Sequence, residues 1–268
     1  MLKISKELKI ALMASVEAGA AIMKVYDTIF EVEYKDDNSP LTQADKQAND
    51  IINAHLVNTE FPIISEENKQ IHFQERKQWH SCWVVDPVDG TKEFVKRNGE
   101  FTVNIALVAK GKPVLGVIYV PATKVLYYAD VAQGSAFKAQ LESHGASVDT
   151  IKNLSKELQP KQNDTNDLQV VGSRSHMNDE TLSFVEDLKA EGKNVEIVSK
   201  GSSLKFCLIA EGNADIYPRF APTMEWDTAA GQAICNAVGV NVISQDTLKP
   251  LAYNKENLLN PWFLVSRN

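Results

Sequence analysis

In the segment WVVDPVDGTKEF, residues 83–94, two aspartates, Asp86 and Asp89, share one short corner. Val84 and Val85 read as the end of a buried strand, and Pro87 and Gly90 break it and bring the chain to the surface. Two carboxylates held so close repel each other, and a hard divalent metal between oxygen ligands is the usual way to offset that cost. Taken alone, both aspartates are also ordinary turn residues. Two further acidic sites change the balance: Glu66 and Glu67 come after the short apolar run FPIIS, and Asp227 opens the helix-like WDTAAG. Acidic side chains at several element ends point to convergence on one metal-filled pocket.

Other residues offer both structural and chemical readings. Thr42 and Asp45 have the spacing of a capping box and would stabilise a helix start by about 1 kcal/mol without any further role. Thr91, directly after Asp89 and Gly90, is a routine turn residue, yet its hydroxyl could be held by Asp45 and orient a water. The stretch GSSLK, 201–205, joins a glycine and two hydroxyls at a helix start, where free backbone N–H groups can cradle a phosphate or simply form a cap. Lys205 and Arg219 are cations that an acidic protein could set beside an anion, although single basic residues are usually solvated. His55, His72, His80 and His144 lack ligand spacing and read as surface or packing residues. His176, in GSRSHM after a strand, carries somewhat more weight, and Trp226 reads as a core or wall residue.

The elements that must position these groups are set by hydrophobic periodicity. Leu8, Leu12, Ile22, Val25 and Ile29 fall on one helical face, and Lys9, Glu17 and Lys24 interrupt any membrane-length run, so an amphipathic packing helix without signal-peptide character is expected. LTQADKQANDIINAHL predicts a second helix. FTVNIALVA, KPVLGVIYV, KVLYYADV and SAFKA have a period of two and short links, which predicts an antiparallel meander. Residues 139–168 are polar and irregular and read as a surface excursion. After them LQVVG, NDETLSFVEDLKAEG, VEIVS, SSLKFCLIAEG, ADIY, WDTAAGQAICNAVG and WFLVS alternate as strands and helices. The expectation is a mixed chain, α+β over 1–138 and α/β over 139–268, acting as a single catalytic unit.

Composition bounds the partners. The 268 residues are 44% hydrophobic, with a formal net charge of −7. That balance argues against general nucleic-acid binding, which needs a basic face, and requires any anionic substrate to be met locally. Cys82, Cys207 and Cys235 form neither a disulfide framework nor a zinc pattern, which fits a cytoplasmic protein.

DPVDGT, WDTAAG, SEE and SPLTQAD together resemble the lithium-sensitive, magnesium-dependent phosphatases of the inositol monophosphatase superfamily, and DGTKEFVKRNGEFTVNIALV is similar to its CysQ-type 3'(2'),5'-bisphosphate nucleotidase branch. The resemblance implies the layered αβαβα sandwich of the inositol monophosphatase and fructose-1,6-bisphosphatase-like sugar phosphatases. It also implies two or three Mg2+ held by Glu66, Asp86, the Val88 carbonyl, Asp89 and Asp227, with Li+ inhibitory. Asp45 and Thr91 would activate water, Glu66 would take part in catalysis and Glu67 would support the same shell. Substrate contacts would fall among Gly90, Thr91, Lys92, His176, Ser202, Ser203, Lys205 and Arg219.

The partner so implied is a small nucleotide bisphosphate, adenosine 3',5'-bisphosphate or its sulfated relative, and not a nucleic-acid polymer. No spanning segment is expected. Peripheral association with the inner face of a membrane stays open, as does the choice between monomer and homodimer. An inositol-type sugar phosphatase and a catalytically silent, metal-dependent nucleotide sensor remain as alternatives.

Overall fold

The computed structural model describes residues 3–34, 40–160, 166–173 and 178–267. The chain opens with helix α1 (Lys6–Tyr26), a short ribbon of β1 (Val32–Tyr34) and β2 (Pro40–Thr42), helix α2 (Gln43–Leu56), strand β3 (Ile63–Ser65) and the single turn α3 (Phe73–Arg76). Strand β4 (Ser81–Asp89) leads through α4 (Thr91–Val95) into the meander β5 (Thr102–Ala109), β6 (Lys112–Val120), β7 (Val125–Asp130) and β8 (Ser135–Gln140). Then come α5 (Val148–Leu154), β9 (Ser155–Glu157), β10 (Asp167–Ser173), α6 (Asp179–Ala190), β11 (Asn194–Lys200), α7 (Leu204–Ala210), β12 (Ile216–Arg219), α8 (Glu225–Ala237), β13 (Asn241–Ser244) and β14 (Phe263–Ser266).

The strands form two large sheets. The first has seven strands in chain order, β3 to β9, antiparallel throughout except for the parallel β3–β4 pair. The second has the order β11-β10-β12-β14-β13, with β10 parallel to both its neighbours and β14 antiparallel to both of its own.

Side-chain alternation along the first sheet feeds two separate cores. Trp83, Val85, Val103, Ile105, Val117 and Tyr119 face α1 and α2, whereas Val84, Ala106, Val108 and Ile118 face α7, α8 and the second sheet. A strand with both faces buried reads as a continuous apolar run, and β4 and β5 do so. The layers therefore run α1/α2, seven strands, α7/α8, five strands, α6, as the αβαβα expectation requires. Helix α8 is the middle slice, and its small residues Ala229, Ala230, Gly231 and Ala233 fit it between two sheets. At Gly116 of β6 an added Cβ would stand 2.4 Å from Ala230 O, so the helix rests directly on that strand's backbone.

Three expectations need correction. Residues 139–168 are not a plain surface excursion: α5 and β9 lie within them, β9 pairs with β8, and Leu141, Ile151 and Leu158 are buried. The first sheet thus runs past residue 138. Ile29 does not belong to the apolar face of α1, because the helix ends at its C-cap Asp27 and Ile29 is fully exposed. Strand β13, NVIS, has no counterpart among the elements expected from periodicity. Among the described residues no helix is long and apolar enough to cross a membrane.

Candidate active site

The pairing of β4 with β5 explains the aspartate corner. The two strands stay in register from Ser81↔Ala109 to Asp86↔Asn104, but the next pair is Asp89↔Thr102. Three steps on β4 thus match two on β5, which is a one-residue bulge. In a regular strand residues three apart face opposite sides; the extra residue brings Asp89 back to the side of Asp86. Pro87, which has no N–H for a ladder, sits where pairing is interrupted. Gly90 then takes φ 90° and turns the chain into α4.

Asp227 arrives from the first turn of α8. Its carboxylate accepts the Met224 N–H at 2.7 Å. Asn260 donates to Met224 O at 2.7 Å, and buried Glu225 is ion-paired with Lys255, so the start of α8 is fixed to the C-terminal segment. One carboxylate oxygen each from Asp86, Asp89 and Asp227 lie within 4.8 Å of one another. They line a cleft of about 340 Å³ together with Glu66, Val88, Gly90, Thr91, Lys92 and Glu93. Burial, then Glu66, Asp89 and Asp227, push the Asp86 carboxyl well above the usual carboxylate range. Burial and Asp89 push Asp227 up to about 7. A hard cation with several oxygen ligands removes this frustration, so the donor set fits Mg2+.

Thr42, Asp45 and Thr91 meet at the same place. Asp45 Oδ2 accepts the Thr42 N–H at 2.8 Å and the Thr42 hydroxyl at 2.7 Å, completing the capping box of α2. Its other oxygen accepts the Thr91 hydroxyl at 3.2 Å. One carboxylate therefore both caps a helix and holds the Thr91 hydroxyl. The Thr91 hydroxyl also stands 3.2 Å from Val88 O.

The GSSLK loop does cradle an anion here, but the anion is Asp89. Its Oδ2 accepts the Ser202 hydroxyl and the Ser203 N–H, each at 2.6 Å, and the Asn104 side-chain amide at 3.3 Å. Thr102 joins this network through the hydroxyls of Ser202 and Ser203. Lys205 is buried, donates to Ser202 O at 2.6 Å and lies over the Tyr217 ring. Burial pulls its ammonium down to about 8, with Asp89 opposing that pull. Arg219 donates to Pro222 O at 3.1 Å, and its buried Nε has no hydrogen-bond partner among the described residues. Lys205, Tyr217, Arg219 and Thr223 line a second cleft of about 130 Å³. Asp89, Gly90, Lys92, Glu93 and Asp227 border both clefts, which are therefore adjoining halves of one site.

Most of the residues singled out in the sequence come together. Glu66, Asp86, Val88, Asp89, Asp227, Gly90, Thr91 and Lys92 border the acidic cleft, with Asp45 behind Thr91. Ser202, Lys205 and Arg219 line its neighbour, and Ser203 reaches Asp89. Glu67 lines neither cleft, and His176 lies outside the described residues. His55 contacts Glu17, His80 contacts Ser81 and His144 contacts Tyr119, in keeping with surface and packing roles. Trp226 belongs to the core. Thr102, Asn104, Tyr217 and Thr223 escape sequence reasoning. For the first two a signal exists: two polar residues alternate in an otherwise apolar strand, directly opposite the aspartate corner.

Known proteins resemble this chain in sequence and in fold. A sequence profile described as the inositol monophosphatase family matches residues 3–261. The 3'(2'),5'-bisphosphate nucleotidase CysQ of Salmonella typhimurium is 46% identical over 254 residues, covering 93% of this chain and 95% of that protein. Its counterpart in Escherichia coli K12 is 45% identical with the same coverage. The crystal structure of CysQ from Bacteroides thetaiotaomicron superposes with a TM-score of 0.85 at 49% identity, covering 96% of both chains. The suhB protein of Bartonella henselae, at 22% identity and a TM-score of 0.75, shares the fold. With a profile match across nearly its whole length and relatives this similar, the chain belongs to the inositol monophosphatase family.

Proposed function

We propose that this chain is a Mg2+-dependent 3'(2'),5'-bisphosphate nucleotidase that releases the 3'-phosphate of adenosine 3',5'-bisphosphate to leave AMP, and acts in the same way on its 5'-sulfated relative. The observation that carries the reading is an acidic cleft adjoining a second one to which Lys205 and Arg219 bring positive charge. A substrate with two anionic ends needs both: the ester to be cut lies over the carboxylates and the second phosphate meets Lys205 and Arg219. The similarity to bisphosphate nucleotidases at 45–46% identity supports the same substrate class.

Glu66, Asp86, Val88 O, Asp89 and Asp227 would hold two or three Mg2+, with Li+ as an inhibitory substitute. When bound, such ions lower the pKa of a coordinated water and neutralise charge on phosphate oxygens. The protein's own groups do the positioning. Thr91 directs its proton inward, toward Asp45 Oδ1 and Val88 O, so toward the cleft its oxygen can only accept. A water beside it is oriented with one hydrogen toward Thr91 and a lone pair toward the phosphorus. Asp89 is oriented by Ser202 and Ser203, which both donate to its Oδ2. Arg219 supplies a planar donor set suited to phosphate, and Lys205 a point charge.

A silent nucleotide sensor has no need of the Asp45–Thr91 contact, and an inositol-type phosphatase has no second phosphate for the cationic cleft. Phosphate release measured on adenosine 3',5'-bisphosphate, its sulfated relative and inositol monophosphate tests the reading. The expected result is Mg2+-dependent turnover of the adenosine compounds with inositol monophosphate a poor substrate. A preference for inositol monophosphate contradicts it.

A further inference from the structure

Glu100 borders neither the acidic nor the cationic cleft; it sits in the turn between α4 and β5, with its side chain buried against the loop 200–203. Its Oε2 accepts the Gly201 N–H at 2.9 Å, a buried bond that joins two distant parts of the chain. Its Oε1 faces the half-exposed Lys200 ammonium at 3.4 Å. The packing around this bond is close. A Cβ on Gly201 would stand 2.9 Å from Glu93 Cγ and 3.2 Å from Glu100 Cβ, and one on Gly90 would stand 3.3 Å from Glu100 O and from Ser202 Cβ.

The next residue, Ser202, takes φ 55°, a left-handed conformation that side-chain-bearing residues adopt only when neighbours impose it. From that conformation three groups radiate. The Ser202 hydroxyl and the Ser203 N–H both hold Asp89 Oδ2, and Ser202 O receives the Lys205 ammonium. The loop thus fixes one carboxylate of the acidic cluster and one cation of the adjoining cleft at once. On its N-terminal side the bond from Gly201 to Glu100 pins it.

We infer that Glu100 is a positioning residue for both halves of the site: by holding the Gly201 N–H it keeps Ser202 in its strained conformation, and through Ser202 and Ser203 it sets the orientation of Asp89 and the placement of Lys205. The inference rests on the reading of Asp89 as a Mg2+ ligand. The inference assigns the role to the acceptor oxygen on Gly201: the ion pair with Lys200 has one end half in solvent, where such a pair contributes little. A carboxylate one methylene shorter falls short of Gly201, whereas a glutamine presents an oxygen at the same reach.

The test uses the full-length protein and two readouts, Mg2+ affinity by titration calorimetry and steady-state KM for adenosine 3',5'-bisphosphate. Glu100→Ala is expected to weaken Mg2+ binding by about tenfold and to raise KM by a similar factor, with Glu100→Gln within about threefold of wild type and Lys200→Ala unchanged. Glu100→Asp should behave like the alanine variant and carries the test if that variant does not fold. Unchanged Mg2+ affinity and KM in Glu100→Ala or Glu100→Asp, whatever happens to the melting temperature, would leave Glu100 as a packing residue and overturn the inference. Equal impairment of Glu100→Gln and Glu100→Ala would overturn it too, by showing that charge is what counts. Calorimetry needs no substrate, so wrong substrate assignment and wrong assignment of Glu100 give different results.

Discussion

At the scale of single residues, the chemistry rests on carboxylates held where they repel. Asp86→Asn and Asp89→Asn keep shape and remove a charged ligand, so Mg2+-dependent phosphate release should collapse while the far-ultraviolet circular dichroism of the protein is retained. Near wild-type release at low millimolar Mg2+ would contradict the ligand assignment. Asp45 holds both the start of α2 and Thr91, and one substitution tests the two contacts separately: Asp45→Asn should cost about 1 kcal/mol of stability through the cap and about 100-fold or more in kcat through Thr91. A destabilised but fully active variant would leave only the capping role. Proton linkage gives a third expectation. Asp227 is raised to about 7 by burial and Asp89, above its unfolded range, so its protonation favours the folded metal-free protein. That contribution is present at low pH and is lost as pH rises from about 4 to 7, where the buried charge must be carried. Mg2+ has to displace this proton. It should therefore raise the melting temperature more at pH 8 than at pH 5.5, which a pair of calorimetric scans decides. Much at this scale is legible in the sequence, because aspartate, proline and glycine mark their own local geometry. Thr102 and Asn104 are not, since a polar residue on a strand reads as solvent-facing until the opposite strand is known. Ser202 and Ser203 read as a cradle for substrate, and only the tertiary contact reveals that Asp89 occupies it.

At the scale of elements, one extra residue in β4 places two aspartates on one side, and two helix starts, those of α2 and α8, bring Asp45 and Asp227 to the same corner. Their positive dipole ends partly offset the accumulated negative charge. The middle layer depends on close approach: Gly116→Ala would press a methyl against Ala230 O at 2.4 Å and Ala233 Cβ at 2.7 Å. Overpacking of that kind should lower the unfolding free energy by about 1–3 kcal/mol, measured by urea denaturation, and an unchanged midpoint would mean that α8 can shift on its sheet. The meander is legible because its strands alternate and its links are short, and the caps announce α2. α5 and β9 are hidden because the buried residues in and beside them, Leu141, Ile151 and Leu158, are isolated in a polar stretch with no period. Ile29 misleads in the opposite way: its spacing fits the helix, but the chain has already turned out of α1 at Asp27.

At the scale of the whole molecule, two halves of different strand pattern enclose α8 and meet at a cleft that is acidic on one side and carries Lys205 and Arg219 on the other, in a chain of net charge −7. On the proposed reading such a chain would concentrate positive charge where a second phosphate lies, and Arg219, whose buried Nε has no hydrogen-bond partner among the described residues, would be the group that does so. The most direct measurement is kcat/KM for adenosine 3',5'-bisphosphate and for inositol monophosphate, in the wild-type protein and in Arg219→Ala. The account predicts that the wild type strongly prefers the bisphosphate, and that Arg219→Ala loses about 1–3 kcal/mol of charge-assisted binding on that substrate, roughly ten- to hundredfold in kcat/KM, with little change on the monophosphate. Equal loss on both substrates would make Arg219 structural, and a wild-type preference for inositol monophosphate would contradict the bisphosphate reading itself.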